Sequence, residues 1–242
     1  EKVLAELPEK TEIYQTVDLS DEEMAVYEII REKAEQMLES EGSEKVSINT
    51  LAEIIRLRQA ACSAALVEKQ WKGKKSKVEA LLEALEPIVE SGDSVLVFSQ
   101  FTSFLSIVKK ALDKAKVPYL YIDGSVSVKE RQKLVEQFQK GECPVFVISL
   151  KAGGLGLNLT HANYVFHLDP WWNPAIEQQA TDRAYRIGQR NAVTVYHFLS
   201  AGTIEEKIKR LHDRKRDLAE NILDGTDMSG KITGRQLLEM IR

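Results

Sequence analysis

Gln179, Arg183 and Arg186 form the group of side chains in this sequence that best suits catalysis. Their spacing of i, i+4 and i+7 predicts that they project from one face of a helix, within about two turns. Two guanidinium groups and an amide on one stripe suit a triphosphate, because arginines neutralise the charge that develops on a transferred phosphoryl group. The same spacing fits a surface stripe that pairs with Glu177 or Asp182, and the sequence leaves both interpretations open.

The helix that would carry this group has recognisable sequence boundaries. Asn173 is a favourable N-cap, Pro174 suits the first helical position, and Gly188 suits a helix stop. The segment follows the strand-like run Tyr164–Leu168, so we expect this helix to begin close to the end of a strand.

A glycine-rich segment follows another strand-like run, Val145–Ser149. Gly153, Gly154 and Gly156 permit positive φ and a close approach of the backbone to a phosphate or to another lobe. Their spacing does not match the dinucleotide-binding fingerprint. A tight turn between a strand and a helix, without a ligand, is the alternative.

Small polar residues follow two further strand-like runs. Ser99 to Thr102 and Asp123 to Ser125 place hydroxyls, an amide and backbone N–H groups where they could hold a nucleic-acid backbone without contacting bases. Each segment taken alone also fits an ordinary helix cap.

From Ser76 onward the chain alternates between helix and strand patterns. This alternation predicts a doubly wound α/β fold, with a parallel sheet covered by helices on both faces and right-handed crossovers. The expected strands are Val95–Ser99, Tyr119–Ile122, Val145–Ser149, Tyr164–Leu168 and Val193–Phe198. Ligands of such sheets bind at the carboxyl ends of the strands, where the polar segments described above lie.

Helical additions flank this region. The sequence divides into residues 1–75, a mostly helical extension, residues 76–202, the α/β lobe, and residues 203–242, helices packed on the lobe. The extension contains a short strand at Thr16–Leu19, a capping box of Ser20 and Glu23, and a helix from Ile48 to Val67. At its end, Lys69–Lys77 carries five lysines in nine residues, which suits a solvated hinge or a contact to phosphate.

Composition narrows the class of protein. The 242 residues are 43% hydrophobic with a net charge of −4, so a nucleic-acid-binding surface must be a local patch. No apolar run approaches the roughly 20 residues that span a bilayer, and without a basic-then-apolar leader in these residues secretion is not expected. Two distant cysteines exclude a disulfide framework or a CxxC metal site, and the four histidines lack ligand spacing. The chain opens at Glu1 rather than methionine, which suggests an excised fragment.

The sequence contains no GxxxxGK[ST] phosphate loop. Its one acidic run that resembles a magnesium-binding box, Asp21-Glu-Glu-Met24, follows Ser20 and is interpreted as the first turn of a helix. Without a phosphate-binding lysine and a magnesium carboxylate, the chain cannot assemble a complete ATPase site.

Three segments resemble the second RecA-like lobe of Swi/Snf-type translocases in helicase superfamily two: Val95–Leu105, Asp123–Phe138 and Val145–Gln189. Within the third, Asp169-Pro-Trp-Trp-Asn-Pro174 and Asp182-Arg-Ala-Tyr-Arg-Ile-Gly-Gln189 are highly specific to that family, and weaker likeness covers most of the chain. The chain departs from the family pattern after Leu57-Arg-Gln, where His-Pro is common, and at Tyr185, where histidine is common. The resemblance suggests a prokaryotic member.

The resemblance implies roles for individual residues. Arg183 and Arg186 are similar to the paired arginines of the last helicase motif, with Arg186 the stronger arginine-finger candidate. The residues implied to face the nucleotide are Gly154, Asn158 and Gln179. Those implied to lie towards the DNA backbone are Ser99, Gln100, Gly124, Ser125, Ser149 and Lys151. Trp171 and Trp172 are similar to an aromatic pair that couples nucleotide state to DNA grip, with buried packing as their alternative role.

By this resemblance, the chain is the RecA-like second half of an ATPase motor that tracks along double-stranded DNA. A first lobe of the same polypeptide would hold ATP and Mg²⁺, so this lobe would bind no metal and would be inactive alone. No membrane partner is expected, and the location would be cytoplasmic in a prokaryote or nuclear in a eukaryote. Two alternatives are a non-catalytic module that docks DNA or protein, and a free-standing nucleotide-binding domain. The intact arginines argue against the first, and the missing phosphate loop argues against the second.

Overall fold

The computed structural model describes residues 7–41, 46–150, 157–221 and 234–242. The chain divides into two compact units, one of Glu1–Val17 with Lys77–Leu199 and one of Asp18–Ser76 with Ser200–Arg242. The three-segment division expected from the sequence stays a prediction. Its boundaries near residues 75 and 202 lie close to the points where the chain passes between the units.

The first unit is built on a six-stranded sheet in the order β1-β6-β5-β2-β4-β3. Its elements are β1 (Lys10–Val17), α3 (Ser76–Glu90), β2 (Val95–Ser99), α4 (Thr102–Lys114), β3 (Tyr119–Ile122), α5 (Val128–Gln139), β4 (Val145–Ser149), β5 (Tyr164–His167), α6 (Pro174–Thr181) and β6 (Val193–Ser200). The pairs β2–β4, β2–β5, β3–β4 and β5–β6 are parallel, as the alternating sequence pattern predicts.

Both faces of the central strands are covered. Successive side chains of a strand point to opposite faces, yet all five residues of β2 and of β4 are buried. On one face, Leu96 and Phe98 join a core that includes Phe138 of α5 and Ala180 of α6. Helix α4 packs against β2 and β4. The predicted doubly wound α/β fold is therefore confirmed.

Strand β1 differs from its prediction. The sequence predicted a short strand at Thr16–Leu19, whereas the structure has eight strand residues, Lys10–Val17, beside β6 at the edge of the sheet. Most of its side chains are exposed or half-buried, with Val17 the buried exception. The strand pattern is weak because an edge strand contributes little apolar surface to the core.

The second unit is helical, with α1 (Asp21–Glu41), α2 (Ile48–Cys62), α7 (Ile204–Asn221) and α8 (Gly234–Ile241). The predicted capping box is confirmed, since Ser20 N donates to Glu23 Oε2 at 3.1 Å and Glu23 N donates to Ser20 Oγ at 3.3 Å. Helix α2 ends at Cys62, so the helical stretch predicted to run to about Val67 is interrupted at Ser63. Ser63 adopts an extended conformation and a short 3₁₀ turn, Ala64–Leu66, follows. None of the helices in the described ranges is long and apolar enough to cross a bilayer.

Candidate functional site

The carboxyl ends of the strands bring several predicted site residues to one edge of the sheet. The registers pair Ser99 with Ser149, Phe98 with His167, and Ile122 with Ile148. Strand order reverses across β2, with β4 and β3 on one side and β5 and β6 on the other. Open α/β sheets bind ligands where the strand order reverses, so the end of β2 is the expected centre of a site.

Asp169 forms hydrogen bonds with the residues at the carboxyl end of β2. The Ser99 hydroxyl donates to Asp169 Oδ1, and the backbone N of Gln100 donates to Asp169 Oδ2 at 3.3 Å. The Gln100 amide also donates to Pro170 O at 3.3 Å. All three side chains that bond here are buried. Ser99 and Gln100 are therefore held by the segment that follows β5, and their contact with a DNA backbone stays a prediction.

Ser149 lies beside Ser99 but has different surroundings. Its side chain is fully buried, and its Oγ finds no hydrogen-bond partner among the described residues. Buried hydroxyls are normally hydrogen-bonded, so Ser149 leaves an unsatisfied polar atom at the carboxyl edge of the sheet. A role for Ser149 towards DNA stays a prediction.

The loop after β3 is ordered by Asp123. Its carboxylate accepts hydrogen bonds from the backbone N of Ser125 at 2.8 Å, from the Ser125 hydroxyl and from the Tyr121 hydroxyl at 2.8 Å. The bond from Ser125 is the main reason that the pKa of Asp123 is lowered. Gly124 and Ser125 remain exposed at the tip. These two residues are thus presented to solvent on a loop that their own neighbour holds in shape.

The segment from Asp169 to Pro174 connects β5 to α6. Asn173 Oδ1 accepts a bond from the backbone N of Ala175 at 3.1 Å, and Pro174 is the first residue of the helix, which confirms the predicted helix start. Trp171 is half-buried against the apolar core, and its backbone N donates to Glu177 Oε1 at 2.6 Å. Trp172 is also half-buried.

The predicted helix from Pro174 to Gly188 is wrong in its second half, because α6 ends at Thr181. Two backbone carbonyls after Thr181 accept hydrogen bonds from groups outside the expected helical ladder. Arg183 O accepts a bond from Leu159 N at 2.9 Å, and Ala184 O accepts one from Gln189 Nε2 at 3.0 Å. These tertiary hydrogen bonds take the place of the bonds that would continue the helix. The expected single helical face for the glutamine and both arginines therefore does not exist.

The three residues of that group lie in different environments. Gln179 is exposed on α6, and Arg186 is exposed in the turns that follow. Arg183 is only 8% exposed, and its Nε and Nη1 have no hydrogen-bond partner within the part of the chain that the structure describes. Burial lowers the pKa of the Arg183 guanidinium.

The alternative interpretation, in which the arginines pair with Glu177 or Asp182 on the surface, stays a prediction, although Arg183 itself is buried. Glu177 accepts a bond from Trp171, and Asp182 Oδ1 accepts one from Gln178 Nε2 at 2.6 Å. Two buried guanidinium nitrogens that the described residues leave unsatisfied are unfavourable, so Arg183 is suited to bind an anion.

The glycine-rich segment is only partly described. Lys151 and Gly154, both predicted site residues, lie outside the described residues. Asn158 is exposed, and Leu159 beside it carries the backbone N that bonds to Arg183 O. This bond places the end of the glycine-rich segment next to the arginine turns.

Four residues that position the site were not recognised from the sequence: Lys77, Asp169, Glu177 and Gln189. The Gln189 amide donates to Ala162 O at 2.9 Å as well as to Ala184 O. Its oxygen accepts bonds from the backbone N of Arg190 and of Asn191, both at 2.9 Å. Gln189 therefore fixes the turns that carry the arginines. For Asp169 and Gln189 the available signal was their position within the two family-specific runs, whereas Lys77 and Glu177 lie in neither run.

Lys77 shows how sequence context can mislead. It ends the lysine-rich run that suited a hinge or a phosphate contact, yet it is fully buried and its Nζ donates to Leu168 O at 3.0 Å. For this lysine both interpretations are wrong, because a buried amine bound to a main-chain carbonyl is neither solvated nor available to phosphate. Across the described ranges, no three His, Cys, Asp or Glu side chains are grouped to hold a metal.

Comparisons with known proteins identify the family. Residues 76–188 match the family described as the helicase conserved C-terminal domain. A solved Sulfolobus solfataricus SWI2/SNF2 ATPase C-terminal domain is 31% identical, covers 90% of this chain and 92% of that chain, and superposes with a TM-score of 0.70. The chain belongs to the SWI2/SNF2 ATPase family. The resemblance found in the sequence is thereby confirmed, and the α/β unit is the RecA-like C-terminal lobe of that family.

Two further SWI2/SNF2 relatives are longer than this chain. The Sulfolobus solfataricus SWI2/SNF2 ATPase core in complex with double-stranded DNA is 33% identical, with a TM-score of 0.75, over 91% of this chain and 47% of that chain. YwqA of Bacillus subtilis, whose name describes a helicase or translocase dependent on ATP, is 38% identical over 99% of this chain. The chain spans 27% of the length of that relative.

Proposed function

We propose that this chain is the second motor lobe of an ATP-dependent translocase of double-stranded DNA. The observation that carries the proposal is the Arg183 guanidinium, which is buried and has two nitrogens without hydrogen-bond partners among the described residues. A side chain in this state gains most from an anion with several oxygens. ATP-dependent relatives support a nucleotide phosphate as that anion.

The nucleotide would be bound between this lobe and a first RecA-like lobe of the same polypeptide. The 242 residues contain no phosphate loop, so the first lobe would hold ATP and Mg²⁺, and this chain alone would not hydrolyse ATP. Arg183 would bind the phosphates from a buried position, while the exposed Arg186 would act as the arginine finger. Gln179, Gly154 and Asn158 complete the proposed nucleotide-facing set.

The DNA backbone would lie along the carboxyl edge of the sheet. The exposed Gly124 and Ser125 offer a hydroxyl and backbone N–H groups to phosphates. Ser99, Gln100, Ser149, Lys151, Trp171 and Trp172 complete this proposed surface. The Sulfolobus SWI2/SNF2 core, which was solved with double-stranded DNA, supports DNA as the partner.

The test is ATP turnover by the polypeptide that joins this chain to its ATP-binding lobe, with and without duplex DNA. Arg183→Ala and Arg186→Ala are each expected to lower DNA-stimulated turnover by about 10³-fold, the scale of an arginine finger. Arg190→Ala is the matched control, because Arg190 is exposed and lies just beyond the same turns.

Turnover that tolerates both arginine substitutions as well as Arg190→Ala would remove the catalytic assignment. If the unmodified two-lobe protein hydrolyses no ATP with duplex DNA present, the chain would instead be a non-catalytic docking module.

A further inference from the structure

Glu177 is a buried carboxylate in the first turn of α6 that touches two other parts of the lobe. It is 7% exposed. One oxygen accepts the 2.6 Å bond from the backbone N of Trp171. The other lies 3.6 Å from Nδ1 of His197 on β6. A short hydrogen bond to an ionised carboxylate is among the stronger contacts in a protein, so the Trp171 backbone is firmly held.

His197 is itself held by its neighbours in the sheet. Its ring stacks between Tyr14 on β1 and His167 on β5, with centroids 4.7 and 5.1 Å away. Its Nε2 lies 3.9 Å from Glu12 Oε2 on β1. An imidazole stacked on both faces has little freedom to move. It therefore places a fixed imidazole 3.6 Å from the Glu177 carboxylate, with which it forms an ion pair when protonated.

The loop with the tryptophan pair is thus tied at two points. At the start of the loop, Asp169 bonds to Ser99 and to Gln100. Two residues further along, the backbone N of Trp171 bonds to Glu177. Trp171 is only half-buried, so apolar packing covers one part of its ring and leaves the rest exposed. The Trp171 ring is therefore placed by its packing against the core together with a backbone that Glu177 holds, and Trp172 follows directly on that backbone.

We infer that Glu177 is a positioning residue that sets the orientation of Trp171 and Trp172 and links them to the sheet through His197. Its importance for DNA-stimulated ATP turnover rests on the proposed function, whereas its effect on the two rings does not. The inference therefore has one test that needs neither ATP nor DNA and one that needs both.

The first test is tryptophan fluorescence of the 242-residue chain carrying Trp71→Phe, which leaves Trp171 and Trp172 as the only fluorophores of this type. Glu177→Ala is expected to shift the emission to the red and to increase quenching by acrylamide. Glu177→Gln keeps an oxygen acceptor for Trp171 N and is expected to recover at least half of the change. Glu205→Gln is the control, since Glu205 is equally buried and accepts a 2.8 Å bond from Ser200 N in the other unit.

The second test is the duplex-stimulated ATP turnover of the two-lobe polypeptide. Glu177→Ala is expected to lower the ratio of turnover with duplex to turnover without it by about tenfold, the size expected for losing one hydrogen bond to a charged group. Glu177→Gln should restore most of that ratio.

Emission and quenching that stay unchanged in a folded Glu177→Ala chain would overturn the inference, as would equal changes in Glu177→Gln and Glu177→Ala. If circular dichroism shows that Glu177→Ala is unfolded, the same fluorescence test is made with Glu177→Asp, which shortens the side chain by one methylene. Tryptophan emission that is unchanged in Glu177→Asp would then contradict the inference. A two-lobe protein without duplex stimulation would remove the proposed function and leave the fluorescence result standing.

Discussion

Asp169 and Arg183 are both charged and both buried in the same lobe, but their hydrogen bonds differ. The Asp169 carboxylate accepts bonds from the Ser99 hydroxyl and from the Gln100 backbone. Two nitrogens of the Arg183 guanidinium have no partner within the described ranges. The described residues satisfy the first group, whereas they leave two nitrogens of the second without a hydrogen-bond partner.

This difference distinguishes a buried charge that the described residues satisfy from one that they leave partly unsatisfied. Removing a satisfied buried charge leaves its partners unpaired, so the fold is weakened. Removing an unsatisfied buried charge leaves no partner unpaired and relieves a desolvation penalty. Stability measurements can therefore assign each buried charge to one class without knowledge of the ligand.

Among these substitutions, Asp169→Ala is expected to change the free energy of unfolding most. This substitution leaves the buried Ser99 hydroxyl and the Gln100 N–H without an acceptor, so the free energy of unfolding should fall by about 3 kcal/mol. Urea denaturation of the chain measures it. Asp123→Ala is the control, because that carboxylate has similar partners but is half-exposed and should cost about 1 kcal/mol. Equal losses in both variants would contradict the assignment of Asp169 as a structural anchor.

Arg183→Met should act in the opposite direction. A side chain of similar length without charge removes the unpaired buried cation, so the free energy of unfolding should stay unchanged or rise by up to about 2 kcal/mol. The matched control is Arg131→Met, which removes an equally buried guanidinium that donates to Val126 O at 3.1 Å and should be destabilising. A loss in Arg183→Met as large as that in Arg131→Met would place Arg183 with the structural residues.

His167 is a third buried side chain that can carry a charge, but in the folded chain it is neutral. Burial, with a smaller contribution from His197, holds the pKa of the His167 imidazole well below its usual range. The unfolded chain therefore binds a proton at this residue below about pH 6.5 while the folded chain does not, so stability is present above that pH and falls as pH drops.

The expected loss from His167 is about 1 kcal/mol between pH 7 and pH 5.5. His167→Gln, which can still bond to Thr181, should remove this part of the pH dependence in urea titrations. His161→Gln serves as the control, since His161 is exposed. An unchanged pH slope in His167→Gln would show that the imidazole takes up a proton as readily in the folded chain as in the unfolded one.

Much of the fold could be predicted because its signals are local. The bounds of β2, β3 and β4 agree with those expected, since each is a compact apolar run. The arginine turns could not be predicted, because the groups that end α6 come from Leu159 and from the side chain of Gln189. A spacing argument assumes a continuous helix and cannot include such partners.

The sequence by itself determined the family, the parallel α/β lobe and the edge of the sheet at which the polar residues gather. It did so because strand periodicity, helix caps and two family-specific runs are properties of short segments. Only the tertiary structure decided that Arg183 is buried while Arg186 is exposed, and that Asp169 and Glu177 anchor the loop with the tryptophan pair. Burial and hydrogen bonding depend on contacts between residues far apart in the chain, and these contacts form only when the sheet and its connecting segments are assembled.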